Sequence, residues 1–310
     1  MVKLLFGLLK ASRPRQWVKN FALFAGLIFS GSLFDSQAQI RALEAFLLFC
    51  GFSSATYFLN DVFDMERDQL HPFKRKRPIA SGLIHPYLAT TISLSIIVIL
   101  LPLSFKLSQA FFLSAVIYLV LQLFYSAYLK RVILLDIMVI ATGFVLRVYA
   151  GVWALDAHLN VWFLLSVISF ALFLAIGKRR SERTLMQSQA SKHRETLLHY
   201  PENLLDILTA MFANSTWLAY ALFAFLQPPI VTRHIVSRFL LGLDLPFGQA
   251  KYLMATVPVV IYGVMRYLYI IYEKKEGESP ERVLITDTPL LTSVILWFVM
   301  VVGIIYYLGV

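Results

Sequence analysis

The chain is short of charge and nearly without cysteine. Only 15% of its 310 residues are Asp, Glu, Lys or Arg, against roughly 25% in a soluble globular protein. Hydrophobic residues make up 59%, and the mean hydropathy is +0.71. Such a chain has too little polar surface to cover one water-facing core, and a lipid solvent is the economical explanation. The single cysteine, Cys50, sits in an apolar run. This excludes an intrachain disulfide and a cysteine-based metal site, and Cys50 reads as a small buried hydrophobe. The histidines, His71, His85, His158, His193, His199 and His234, are scattered without metal-ligand spacing. No small-residue cleavage site follows the apolar N-terminal stretch, which therefore does not read as a signal peptide. No linker, low-complexity tract or repeat divides the sequence, so it reads as a single membrane domain over 1–310.

What the chain has is long apolar runs. A spanning helix needs about 20 mostly apolar residues. The pattern predicts an all-α, polytopic membrane protein with nine transmembrane helices, near 20–34, 41–59, 86–104, 109–127, 133–153, 160–177, 204–226, 252–272 and 289–308. Ahead of them, Leu4, Leu5, Leu8 and Leu9 recur at helical spacing beside Lys3 and Lys10. Residues 1–12 therefore read as a helix lying on the membrane surface. The net charge of +10 raises nucleic acid as a partner. Its placement argues otherwise: the segments on one side of the predicted bilayer hold 21 Lys and Arg, and those on the other hold 5. The excess is a positive-inside signal. It predicts a cytoplasmic N-terminus in an inner (cell) membrane and, after nine crossings, an outside C-terminus.

The second apolar run ends in Asn60-Asp61-Val62-Phe63-Asp64-Met65-Glu66-Arg67-Asp68. If the helix continues, Asn60, Asp64 and Asp68 lie four residues apart and Asp61 joins their face. Carboxylates at such spacing repel one another. A hard cation such as Mg²⁺, which favours a few carboxylates plus phosphate oxygens, would neutralise them. The bland alternative is a solvated acidic helix end. The basic run Lys74-Arg75-Lys76-Arg77 follows closely, and an anion held between metal and bases accounts for both features.

The run N-D-x-x-D-x-x-x-D, followed by Arg77-Pro78-Ile79-Ala80-Ser81-Gly82, resembles the first signature of the UbiA superfamily of intramembrane prenyltransferases. The resemblance extends over the whole chain, and nine helices match that family's fold. It implies that Asn60, Asp61, Asp64 and Asp68 hold Mg²⁺ against a diphosphate in a cavity open to the cytoplasm, with the three aspartates catalytic. The sequence departs from the family in the loop after its sixth helix. A second D-x-x-x-D is expected there, but the chain reads Gly177-Lys178-Arg179-Arg180-Ser181-Glu182. Glu202 and Asp206 have acid-x-x-x-acid spacing further on and could be a displaced second motif.

Other stretches look like one branch, the decaprenyl-phosphate phosphoribosyltransferases. They are Arg13-Pro14-Arg15-Gln16-Trp17-Val18-Lys19-Asn20, Tyr125 to Lys130, Leu135-Asp136 through Arg147, the Gly-Lys-Arg-x-x-Glu of the sixth loop, Arg266-Tyr267, and Pro280-Glu281 with Asp287. This resemblance implies Mg²⁺-dependent transfer of 5-phosphoribosyl from phosphoribosyl pyrophosphate to a long-chain polyprenyl phosphate, and a place in cell wall biosynthesis. Two phosphate-bearing groups on one substrate demand many cations. Arg15, Lys19, Lys74, Arg77, Lys130, Lys178 and Arg179 are the candidates, with Glu182, Tyr125, Tyr128, Asp136 and Arg147 as further substrate contacts.

Each has a plainer reading beside it. Tyr125 and Tyr128 suit interfacial anchors. Glu182 and Lys178 suit a helix ion pair. Arg147, about 20 Å along its helix, either pairs structurally or lines the cavity with Asp136, three turns away. Lys10 and Arg13 read as contacts to lipid headgroups. Two rival functions remain: prenyl transfer to an aromatic acceptor, which the absent second acidic motif disfavours, and transport, which would expect midplane acids and repeated halves. Oligomeric state is not readable, and a homo-oligomer is compatible with the sequence.

Overall fold

The structure, a computed structural model, describes residues 2–70, 74–188, 200–227, 251–274 and 280–308. Every regular element among them is helical, and eight of these helices are long and apolar enough to cross a membrane. Backbone contacts divide the chain into two compact units.

The first unit holds the residues up to Leu27 and Phe34–Ala157. It begins with α1 (Val2–Ala11), followed by a 3₁₀ segment (Pro14–Phe24) that runs into the short α2 (Ala25–Phe29). This corrects the expected first span, 20–34, which is no long α-helix. Its apolar run is only about two-thirds of the usual length, and it opens on Pro14 and the buried, polar Asn20. A 3₁₀ segment rises about 2.0 Å per residue instead of 1.5. The 11 residues of this one, with the 5 of α2, therefore cover roughly the 30 Å of a hydrocarbon core.

The rest of the unit is α3 (Ser36–Phe63), α4 (Met65–Leu70), α5 (Pro86–Leu107), α6 (Gln109–Ala127) and α7 (Leu135–Ala154). Helix α3 starts five residues before the predicted 41 because Asp35 caps it, accepting from the Gln37 amide at 2.8 Å. Phe49, Phe52, Phe111, Ala115 and Tyr118 form the centre of the unit, all within 1% of full burial. Small residues set the closest approaches: Ser93 Oγ donates to Ala55 O at 2.8 Å, tying α5 to α3. At Gly151 the 3₁₀ segment lies directly against α7, where any Cβ would run into the Leu23 carbonyl. By contrast Leu94, Val98 and Ile99 of α5 stay exposed, as a lipid-facing helix requires.

The second unit holds residues 28–33 and the described residues from His158 onward. Its elements are α8 (Val161–Ser188), α9 (Glu202–Leu226), a 3₁₀ turn (Tyr252–Thr256), α10 (Val257–Tyr269) with a π-helical end, α11 (Pro280–Thr286) and α12 (Thr288–Gly303). Phe29, Phe163 and Phe223 stack at its centre with ring centroids 4.6–5.4 Å apart. Pro258, expected inside a span, falls in the first turn of α10, where its missing N–H has no helical partner to lose. Helix α8 runs on through Lys178–Glu182 to Ser188, where the sequence suggested a loop from Gly177. Lys, Arg and Glu are good helix formers, and Glu182 pairs with Arg179 at i,i+3, so charge does not end the helix. His193 and His199 lie outside the described residues, as do His71 and His234.

Gly151→Ala is expected to lower stability by about 1–3 kcal/mol through overpacking. Gly303→Ala, where a Cβ meets nothing, should be neutral or slightly stabilising. Thermal unfolding of the two variants in detergent, followed by tryptophan fluorescence, checks the contrast.

Candidate functional site

The acids sit where α3 stops. Asp64 is its last half-turn, at φ −95° and ψ 2°. The helical hydrogen-bond spacing nevertheless runs through the break: the Asp64 amide bonds to Asn60 O at 3.0 Å, and that of Asp68 to Asp64 O at 2.8 Å. The acids divide by partner across this break. Asp61 and Asp68 come together, and Asp64 turns to a different partner.

Each acid meets a base. Asp61, 2% exposed, accepts from Arg13 and from Arg77 Nη1 at 3.2 Å. The same Arg77 nitrogen donates to Asp68 at 2.5 Å. Lys130, on the turn after α6, donates to Asp64 at 2.6 Å. Asn60 Oδ1 accepts from Ser126 Oγ at 3.1 Å, which joins α3 to α6 one turn short of Lys130. Arg77 is aimed by the turn that follows it. Ile79 and Ile84 are buried with Ala11, Phe58 and Ala89. Ser81 N bonds to Arg77 O at 2.8 Å, and Gly82 closes the turn at φ +78°, a conformation that favours glycine.

Arg13 is the residue the sequence reading missed. It was placed at lipid headgroups, but its guanidinium reaches Asp61 and lies 4.8 Å from the Tyr57 ring centre. Its backbone is left-handed, φ 52°, which costs a non-glycine residue about 1–2 kcal/mol. The only available signal was that a carboxylate so deep on an apolar helix needed a cation from elsewhere. The 3₁₀ segment behind Arg13 is bolted to α3: Trp17 Nε1 donates to Ser54 Oγ at 3.0 Å, and that hydroxyl donates to Ser12 O at 3.0 Å.

Arg147 belongs to this support. It donates to Asn20 Oδ1 at 2.8 Å, to Gly143 O at 2.5 Å and to the Tyr118 hydroxyl at 2.9 Å. Asp136 is not among these acceptors; its carboxylate accepts from the Ile137 amide at 2.9 Å. The structural alternative for Arg147 therefore has direct geometric support. Lys19, Lys74 and Tyr125 are half-buried, and Arg15 and Tyr128 are exposed.

In the second unit Glu182 accepts from the buried Arg179 at 2.5 Å and lies 3.9 Å from Lys178. Asp206 accepts from Arg180 at 2.5 Å, and Glu202 lies 3.7 Å from Arg183. The suggested displaced motif thus makes an ionic seam between α8 and α9. Asp287 caps α12 through the Leu290 amide and accepts from Arg266 Nε and Nη2, at 2.9 and 2.8 Å, and from Lys274 at 2.8 Å. The Arg266 hydrogen bonds, then Lys274, hold this carboxyl well below the usual carboxylate range.

Among the described residues no group of three or more Asp, Glu, His or Cys side chains forms a ready-made metal cage. The donor chemistry still fits magnesium. One cationic nitrogen already bridges Asp61 and Asp68, and Mg²⁺ commonly takes one or two carboxylates with the remainder from phosphate and water. A hollow of about 500 Å³ lined by Arg41, Glu44, Leu48 and Lys106 lies toward the start of α3, its nearest lining residue about 20 Å along the helix from Asp61, and is no part of this cluster.

Residues 20–286 match the UbiA prenyltransferase family, and the chain belongs to it. Several relatives carry the name decaprenyl-phosphate phosphoribosyltransferase. That of Corynebacterium glutamicum is 32% identical over 97% of this chain and 87% of its own length. That of Mycolicibacterium smegmatis is 32% identical over 98% of this chain and 94% of its own. Among solved structures, a UbiA homolog from Archaeoglobus fulgidus bound to DMAPP and Mg²⁺ matches with a TM-score of 0.70 at 18% identity, over 96% of this chain and 98% of that one. The chain is a multi-pass membrane protein.

Because Asp287 is depressed, its stabilising contacts are present above the unfolded-state value near 4 and are lost as pH falls through the lower folded value. Asp287→Asn should cost about 1–3 kcal/mol at neutral pH. The gap between wild type and variant should stay constant down to about pH 4 and close below it, as read by unfolding temperature across an acid series.

Proposed function

We propose that this protein transfers 5-phosphoribosyl from phosphoribosyl pyrophosphate to a long-chain polyprenyl phosphate, with release of diphosphate. The observation that carries the reading is the pair of buried carboxylates bridged by one cation, in a chain aligned end to end with relatives named for this activity. Asp61 and Asp68, with Asp64 and Asn60 beside them, are the proposed holders of Mg²⁺. When bound, the ion supplies Lewis-acid stabilisation of the departing diphosphate.

The chain's own residues supply the rest. Arg77, Arg13 and Lys130 stand beside the acids, where negative charge grows as the C1–O bond of the sugar breaks. The electron pair leaves with the diphosphate. A phosphate oxygen of the lipid forms the new bond to C1 and, already anionic at neutral pH, needs no strong base. Arginine's fork suits bidentate phosphate contact and lysine acts as a point charge. Lys178 and Arg179 are proposed as further phosphate contacts on charge alone.

The excess of Lys and Arg on one side, 21 against 5, supports a cytoplasmic N-terminus and cytoplasmic acids. The length of the 3₁₀ segment with α2 supports a ninth crossing and an outside C-terminus. A second reading, prenyl transfer to an aromatic acceptor, draws on the family at large and on the allylic diphosphate bound to the Archaeoglobus protein.

Two incubations with Mg²⁺ separate these readings. One supplies labelled phosphoribosyl pyrophosphate and polyprenyl phosphate, the other polyprenyl diphosphate and 4-hydroxybenzoate. A labelled, lipid-extractable sugar phosphate in the first is the expected result; product in the second alone would overturn the proposal. Asp64→Ala and Asp68→Ala should each abolish turnover while eluting from size exclusion as the wild type does. Near-normal activity in either would remove that residue from the metal site.

A further inference from the structure

Asp61 and Asp68 are more deeply buried than their own counter-ions. The two carboxylates are 2% and 6% exposed, whereas the arginines covering them, Arg13 and Arg77, are 25% and 27% exposed. Lys130 pairs with Asp64, where the acid is the more exposed partner, 21% against 12%. Among the described ion pairs, three acids thus meet three bases.

A divalent cation arriving alone would have to displace guanidinium groups that have nowhere better to go, and would face their positive charge. A diphosphate arriving alone would face the carboxylates. A metal and a diphosphate arriving together satisfy both sets. The carboxylates turn to the metal, and the freed forks find a bidentate anion, the geometry in which arginine binds most strongly.

We propose that Arg13, Arg77 and Lys130 are exchangeable counter-ions, which pair with the three aspartates and pass from carboxylate to diphosphate as the metal enters. The exchange makes metal and diphosphate binding mutually dependent. It rests on the metal–diphosphate reading above and adds to it a role for Arg13, the residue held in a left-handed backbone conformation over Tyr57. No covalent step is involved. Because coupling between two ligands is reciprocal, each ligand tightens the other by the same factor.

The test uses Mn²⁺ as a paramagnetic probe and inorganic pyrophosphate as the anion, on the full chain in detergent. Electron paramagnetic resonance then counts bound metal without any turnover. Wild type should bind Mn²⁺ weakly alone and at least about tenfold more tightly with pyrophosphate, a step of about 1.4 kcal/mol. Arg13→Gln and Arg77→Gln should each bind Mn²⁺ alone about tenfold more tightly than wild type, and gain less from pyrophosphate. Arg77→Lys, which keeps the covering charge, should return toward wild-type behaviour. Folding of each variant is checked by its unfolding temperature. If one glutamine variant misfolds, the other decides; if both do, the wild-type coupling and Lys130→Met decide. Folded variants that bind Mn²⁺ alone no better than wild type overturn the exchange. Failure of wild type to take Mn²⁺ even with pyrophosphate would instead sink the metal–diphosphate reading itself.

Discussion

A carboxylate buried at the end of an apolar helix must have its charge met, and that requirement organises the first unit. Asp61 is as enclosed as Phe58, one turn before it, and leaving such a charge uncompensated costs several kcal/mol. Its two arginines come from opposite directions along the chain, Arg13 from before α3 and Arg77 from beyond α4. Neither can reach Asp61 unless its own segment is packed against α3. The isoleucines of the turn after Arg77 and the hydrogen bonds of Trp17 and Ser54 do that packing. Apolar burial and the site are therefore one structure: the core residues place the cations, and the cations permit the buried acid.

The same economy extends deeper. Arg147 is a buried guanidinium whose described acceptors, an amide, a phenol and a backbone carbonyl, are all neutral. Hydrogen bonds to a charged group are worth about 1.5–3 kcal/mol each, enough to hold an 11-residue 3₁₀ segment that would otherwise be an unfavourable length for that geometry. Asn20 is the hinge of this network, bonded on one side to Arg147 and on the other to Cys50. The cysteine serves as a packing group and weak acceptor, in keeping with its apolar neighbours.

Acid–base pairs recur in the second unit, and exposure separates two of them from Asp61 and Asp68. Asp206 and Glu202 are 43% and 52% exposed, and pairs of that kind contribute about 0–1 kcal/mol. They fasten α8 to α9 and leave their carboxylates open to water. Asp287 lies between the two cases: nearly buried, saturated by two cations and an amide, it is a helix cap with all its acceptor capacity in use. Spacing alone could not distinguish these roles, since Glu202 and Asp206 have the pattern of a ligand motif and the surroundings of an ion pair.

The sequence by itself determined the lipid solvent, the helical class, most of the spans and the segments bearing the excess positive charge. All of these follow from local composition or from a motif contiguous in the chain. Helix ends were less legible. Asp35 as a cap, the helical continuation through Lys178–Glu182 and the kink at Asp64 each depend on where one side chain's hydrogen bond goes. The tertiary structure alone decided that the first apolar run is a 3₁₀ segment, that Arg13 answers Asp61, and that Asp61 and Asp68 share a cation while Asp64 takes another. Those are pairings between residues up to 66 positions apart. A charge carries no label for its partner: electrostatic need can be read from one position, but only packing chooses which cation comes within 3 Å of it.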